Sequence, residues 1–133
     1  MKKMLKIFVS ALLVVTVLFS GLYFALTAPS DAGIFSVSAF QEKIENPYFH
    51  TERTYGPITD YKSAANAGKK AIADRFEYSN GSIFEWMGCD VQYDAQNDAY
   101  YIRTYHLNPL MFGGAHDVIL RSDGTVIAIW GEK

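Results

Sequence analysis

Between Lys6 and Asp31 the chain carries no charged side chain, and three lysines (Lys2, Lys3, Lys6) stand just before the gap. The run Ile7–Ala28, IFVSALLVVTVLFSGLYFALTA, is 22 residues long. As a helix rising about 1.5 Å per residue it reaches roughly 33 Å, enough for a hydrocarbon core of ~30 Å. A cleaved secretory signal has a shorter apolar stretch, about 7–15 residues, and small residues before the cut. Cleavage after Ala28 would put Leu26 at the minus-three position, and cleavage after Ala25 would put Tyr23 there. Ser30-Asp31-Ala32 is a passable site that lies late, and the cysteine a lipoprotein needs after Leu-Phe-Ser-Gly is replaced by Leu22. Length and site favour an uncleaved signal anchor over residues 1–28, with a secreted or periplasmic protein after cleavage as the alternative. The positive-inside rule keeps the lysines in the cytoplasm and sends the C-terminus outside.

Residues 29–133 are then one exported domain of ordinary size and modest core. They divide into a juxtamembrane segment and loop, 29–57, and an α+β domain, 58–133. Nine Lys and Arg (the chain's twelve less the leading three) face fourteen Asp and Glu, a net charge near −5. That balance, without a basic stripe, argues against nucleic acid as a partner, because phosphate contacts need clustered Lys or Arg. It argues equally against adhesion to anionic lipid beyond the anchor itself. Cys89 is the only cysteine, so no intramolecular disulfide can staple the domain. Alternation through Cys89-Asp90-Val91-Gln92-Tyr93-Asp94 turns Cys89, Val91 and Tyr93 inward, which describes a buried small hydrophobe rather than a reactive thiol.

Ile34, Val37, Phe40, Gln41 and Ile44 follow helical spacing, so a short helix is expected there, ended by Asn46-Pro47. Residues 47–57 predict an ordered loop or edge strand. A longer helix starts at Thr59 or Asp60, either of which can cap it. Its stripe is Tyr61, Ala64, Ala65, Gly68, Ala71, Ile72 and Phe76, small enough to lie close on a sheet, and Asn80-Gly81 stops it. Four strands follow: Glu85–Asp94, Ala99–His106, Ala115–Arg121 and Thr125–Trp130. Ala95–Asp98 joins the first pair, Asn108-Pro109 and Gly113-Gly114 lie in the next loop, and Ser122-Asp123-Gly124 makes a hairpin with Gly at the positive-φ position. Pairing Arg121 with Thr125 sets Leu120 against Val126, Val118 against Ala128 and His116 against Trp130, with Ile119, Ile127 and Ile129 on the opposite face. One helix on an antiparallel meander leaves a surplus of apolar residues on the second face. Phe35, Phe40, Tyr48 and Phe49 are enough to cover it; a partner surface is the competing reading.

Ile58-Thr59 before an Ala-rich helix, then Gly113-Gly114-Ala115-His116-Asp117-Val118-Ile119-Leu120 and Asp123-Gly124-Thr125-Val126, resembles a bacterial immunity family over about residues 58–133. Tyr78-Ser79-Asn80-Gly81 departs from the family's continuation after the helix. The resemblance implies a helix on a curved antiparallel sheet, a nuclear-transport-factor-2-like or cystatin-like cone. It also implies a protein that protects its producer by binding a cognate secreted toxin. His116, Asp117 and Trp130 are the candidate contacts with that partner.

The sequence shows no catalytic, metal or cofactor constellation. His50, His106 and His116 lack the spacing of a zinc site, and adjacent His116 and Asp117 point to opposite faces of a strand. Asp94 and Asp98 flank a turn, where Asp serves local hydrogen bonding. Ala67-Gly68-Lys69-Lys70 lies inside the helix and lacks the upstream glycine of a phosphate loop. Asn80-Gly81-Ser82 is a turn signal before it is a sequon. The expected protein is a non-enzymatic toxin-binding module. The alternative is an anchored ligand-binding or envelope-assembly module with a small pocket lined by Tyr93, Tyr101, Tyr105 and Trp130. An enzyme on the same fold would need a His or Asp aimed into a deep cavity.

Overall fold

The computed structural model describes residues 2–27, 29–76, 87–107 and 114–132, with backbone alone at 2, 27 and 29–33. The apolar run forms helix α1 (Lys2–Thr27), and its stretch Lys3–Leu26 is long and apolar enough to cross a membrane. None of the most apolar window of that stretch is buried against the rest of the chain. The Thr16 and Ser20 hydroxyls donate to the Leu12 and Thr16 carbonyls at 2.9 and 2.8 Å, so these polar groups are satisfied within the helix.

The chain leaves α1 into a short strand, β1 (Pro29–Gly33), a stretch without the alternation or β-branched residues of a strand. The expected helix after it is split: a 3-10 turn over Val37–Phe40 continues into one turn of α-helix, α2 (Gln41–Glu45). Pro47, whose ring disfavours helix in the preceding residue, explains the stop at Asn46. The long helix α3 covers Tyr61–Phe76. Asp60 caps it by accepting from the Ser63 N–H at 2.7 Å, while the Ser63 hydroxyl accepts from the Thr59 and Asp60 N–H groups. Ser63 thus fills the reciprocal place that Glu holds in a capping box.

Strands β2 (Met87–Asp94), β3 (Ala99–His106), β4 (His116–Arg121) and β5 (Val126–Gly131) form the antiparallel meander, and β1 adds to its edge parallel to β2. The fold is α+β. The expected helix stop at Asn80-Gly81, the first residues of the Glu85 strand, the Asn80-Gly81-Ser82 turn, Asn108-Pro109 and Gly113 lie outside the described residues.

α3 lays Ala64, Ala65, Ala67, Gly68, Ala71 and Ile72 on Cys89, Val91, Ile102, Val118, Leu120, Val126 and Ile129. A Cβ at Gly68 would sit 2.7 Å from Ile102 Cγ2, so the small stripe is what allows this approach. The second face of the sheet holds Ala99, Tyr101, Ile119, Ala128 and Trp130 under Phe35, with Val37, Phe40, Ile44 and Phe49 packed alongside. The N-terminal segment therefore covers the surplus apolar face; Tyr48 stays exposed.

The expected β4–β5 register holds at Leu120–Val126 and fails beyond it. Ile119 lies opposite Ala128, Val118 opposite Ile129, Asp117 opposite Trp130 and His116 opposite Gly131. Ile127 is an extra residue, a β-bulge that resets the inward–outward alternation. Ile129 consequently joins the α3 core instead of sharing a face with Ile119, and Trp130 turns to the second face.

The loop before α3 is pinned to the β4–β5 hairpin. Tyr55 N–H donates to the Gly124 carbonyl at 2.9 Å, Ile58 N–H donates to the Ser122 carbonyl at 2.7 Å, and Thr54 bridges Thr125. Gly124 has φ +86°, and a Cβ there would lie 1.9 Å from Gly56 N. Asp94 ties the other cover down: its carboxylate accepts from Val37 N–H at 2.9 Å and from the N–H groups of Gln96 and Asn97. The Val37 bond first, then the Asn97 side chain, lowers the Asp94 pKa.

Gly124→Ala is expected to cost about 1–3 kcal/mol in urea unfolding, from backbone strain and the lost approach to Gly56. Asp94→Ala should lower the urea midpoint at pH 7. A lowered pKa contributes stability above the unfolded value and loses it on acidification, so the two midpoints should converge as pH falls below the ordinary Asp range.

Candidate functional site

Alternation along β3 places Tyr101 and Arg103 on the face away from α3, and the register sets Asp117 opposite Arg103 on one side and Trp130 on the other. The Tyr101 hydroxyl donates to Asp117 Oδ1 at 2.6 Å, and Arg103 Nε lies 3.9 Å from the same oxygen. The far end of the Arg103 guanidinium bonds Glu132. Asp117 is fully buried, and its Oδ2 has no hydrogen-bond partner among the described residues. Burial raises the Asp117 pKa; the Tyr101 bond and the Arg103 charge pull it back without cancelling that effect. Burial, then the bond to Asp117, raises the Tyr101 pKa as well. A buried carboxyl held by a phenol and a guanidinium can fix the second layer in register and can hold a proton.

The three candidate contact residues do not come together. Asp117 and Trp130 are cross-strand neighbours, whereas His116 faces α3, its ring 4.6 Å from that of Phe76. Their exposures are 8 % for His116, 0 % for Asp117 and 4 % for Trp130, so none offers a free surface. Burial also lowers the His116 pKa, favouring the neutral ring. His50 donates from its ring to the Ile44 carbonyl, and His106 ends β3. Cys89 is buried, and that burial pushes its thiol up to about 11, far from a thiolate at neutral pH. Asp98 accepts from the Tyr93 and Ser122 hydroxyls, so both turn carboxylates serve local structure. Ala67–Lys70 lies inside α3. No group of three or more His, Cys, Asp or Glu among the described residues could hold a metal ion.

Tyr93, Tyr101, Tyr105 and Trp130 do not line one pocket. The Tyr93 ring lies tilted against that of Tyr100, centres 4.5 Å apart, at the α3 side of the sheet, while Tyr101 and Trp130 belong to the second layer. Tyr105 lies over Gly88 on that same second face, with its hydroxyl toward Asp90. A concavity of about 620 Å³ does open beside Trp130, at the edge of β5. Its lining is Tyr48, Phe49, Arg75, Phe76, Ile129, Trp130 and Gly131. Phe76 comes from the α3 layer and Phe49 from the opposite layer, so the concavity marks where the two covers meet at the edge strand.

Sequence reasoning missed Arg103, Glu132, Lys43 and Arg75. The alternation Tyr101-x-Arg103 was a usable signal for the first; the others depend on long-range packing. No family model, no curated protein and no solved structure matches this chain.

Tyr101→Phe should cost about 1.5–3 kcal/mol at pH 7, the range for a hydrogen bond to a charged group. The Tyr101 bond lowers the pKa of Asp117, so its contribution is present while Asp117 is ionised and is lost as pH falls through that pKa. Chemical denaturation of variant and parent at pH 7 and pH 4 reads the expected narrowing of the gap.

Proposed function

We propose that this chain is a membrane-tethered, non-enzymatic immunity or inhibitor protein of nuclear-transport-factor-2-like or cystatin-like architecture. Its domain faces outside the cytoplasm and neutralises a cognate protein toxin by binding it. The observation that carries this reading is the segregation of side chains along the sheet. Pro29, where the chain leaves α1, is level with Cys89, Thr104, His116 and Gly131 across the strands. The Ala95–Asp98 and Ser122–Gly124 turns lie at the other end, about 17 Å along the strands.

That remote end gathers Asp60, Asp98 and Asp123, against Lys62 and Arg121, around the tyrosines 61, 93 and 100. The Ser63 N–H lowers the Asp60 pKa, and the Thr125 N–H lowers that of Asp123, keeping both carboxylates ionised. Tyrosines beside fixed negative charge suit a basic protein partner, because aromatic anchors dominate interface energy and charge speeds encounter. His116, Asp117 and Trp130 lie buried at the α1 end of the sheet, away from that surface, and in this reading do not touch the partner.

A second reading, a membrane-anchored ligand-binding or envelope-assembly module, is favoured by the concavity beside Trp130.

Co-expression with the product of an adjacent toxin-like gene should give a co-purifying pair whose association slows as salt is raised, by tenfold or more on the scale of about 10–1,000-fold for electrostatic steering. A stably folded domain that ignores that product would remove the toxin-binding reading.

A further inference from the structure

We propose that the concavity at the β5 edge binds an anionic phospholipid of the membrane that α1 crosses. Arg75 and Lys43 take its charged group, and Phe49, Phe76 and Trp130 take the upper part of an acyl chain. The proposal rests on α1 spanning a membrane and gives a ligand class to the second reading above.

Position is the first argument. Gly131 lies on the same cross-strand row as Pro29, four strand spacings or about 19 Å to the side. The concavity therefore opens at the end of the sheet where the chain leaves α1. Tyr48 stands 72 % exposed at its rim, and interfacial Tyr and Trp are at home at headgroup level.

Charge is the second argument. The Arg75 guanidinium donates to the Tyr48 carbonyl at 2.8 Å and lies 5.2 Å from that ring. Lys43 Nζ is 4.9 Å from the Phe49 ring centre and 5.9 Å from that of Trp130. Among the described residues neither cation is bridged to a carboxylate, whereas Arg53 and Arg103 are. Glu132, the acid next to Gly131, is engaged by Arg103. The domain's overall negative charge opposes contact with an anionic surface, but screening over about 10 Å at 0.1 M salt leaves the local pair of cations in control.

Backbone geometry adds donors. Glu132 N–H bonds the Ala115 carbonyl, so the alternate residues Ile129 and Gly131 turn their N–H groups away from β4, toward the free edge. A volume of about 620 Å³ lies within the roughly 300–1,000 Å³ of small-molecule sites. Aromatic walls with Arg75 in the lining and Lys43 against the Phe49 and Trp130 rings match an amphipathic anion better than free phosphate, which would leave the rings without a partner.

The test uses the full chain carrying Trp86→Phe, which leaves Trp130 as its only tryptophan, reconstituted into vesicles. Trp130 fluorescence is then compared with brominated phosphatidylglycerol and with brominated phosphatidylcholine at equal mole fraction. The anionic lipid should quench more strongly. Arg75→Gln and Lys43→Gln should each lower that preference about fivefold, the effect of one basic group at an anionic surface. Arg75→Lys should keep it. Equal quenching by both lipids, or a preference untouched by both neutral variants, overturns the proposal. Flotation of the same vesicles reports membrane insertion separately: a chain that floats without a preference refutes the pocket alone, and one that does not float refutes the spanning helix and the proposal together.

Discussion

A meander of four strands has two faces, and one helix can cover only one of them. Everything else in this domain follows from how the second face is kept from water. Phe35 and Phe40 lie on Tyr101, with ring centres 5.6 and 4.9 Å apart, and Phe40 and Phe49 flank Trp130 at 5.5 and 6.4 Å. These aromatics come from a segment with little regular structure, two 3-10 turns (Val37–Phe40 and Pro47–Phe49) and one turn of α2 between them. Such a segment is placed by its side chains and by Asp94, which holds Val37 N–H from the opposite end of the sheet. The residues between the membrane-length helix and α3 are thus part of the folded body.

The bulge at Ile127 works with that cover. Without it, strict alternation would send Trp130 toward α3 and leave the second layer without its largest ring. With it, Trp130 meets Phe40 and Phe49, and Asp117 faces the same layer, where Tyr101 and Arg103 hold it. A buried carboxyl is costly unless it is bonded, so the Tyr101–Asp117–Arg103 group specifies this pairing over its one-residue alternative. Side chains with chemical potential, Asp94, Asp98, Asp117 and Cys89, are engaged in the architecture in this way.

The cross-strand row from Pro29 to Gly131 gives the domain two distinct ends. At the α1 end lie Arg75, Lys43 and the aromatic concavity; at the other lie the hairpin turns, the α3 cap and a group of ionised aspartates with tyrosines. The proposed toxin contact and the proposed lipid contact use opposite ends, so one domain can accommodate both without competition.

Much of this was open to reading along the chain. The uncharged run after Lys6, the Ala-rich stripe of α3, the Asp60 cap, the Ala99–His106 strand and the positive φ of Gly124 all rest on local rules of period, capping and turn chemistry. The Ser122–Gly124 loop was also enough to register Leu120 with Val126. Beyond that pair sequence logic broke, because a bulge has no local signature: Val-Ile-Ala-Ile-Trp alternates as well with Ile127 paired as with it extruded. β1 was invisible because Pro-Ser-Asp-Ala-Gly is a strand only by virtue of the β2 edge beside it. Tertiary structure alone decided that Asp117 and Trp130 are neighbours while His116 is not, and that Arg75 shares a concavity with Phe49 and Trp130, the two rings Lys43 lies against. Composition and period act over a few residues; the choice of neighbours belongs to packing across the whole sheet.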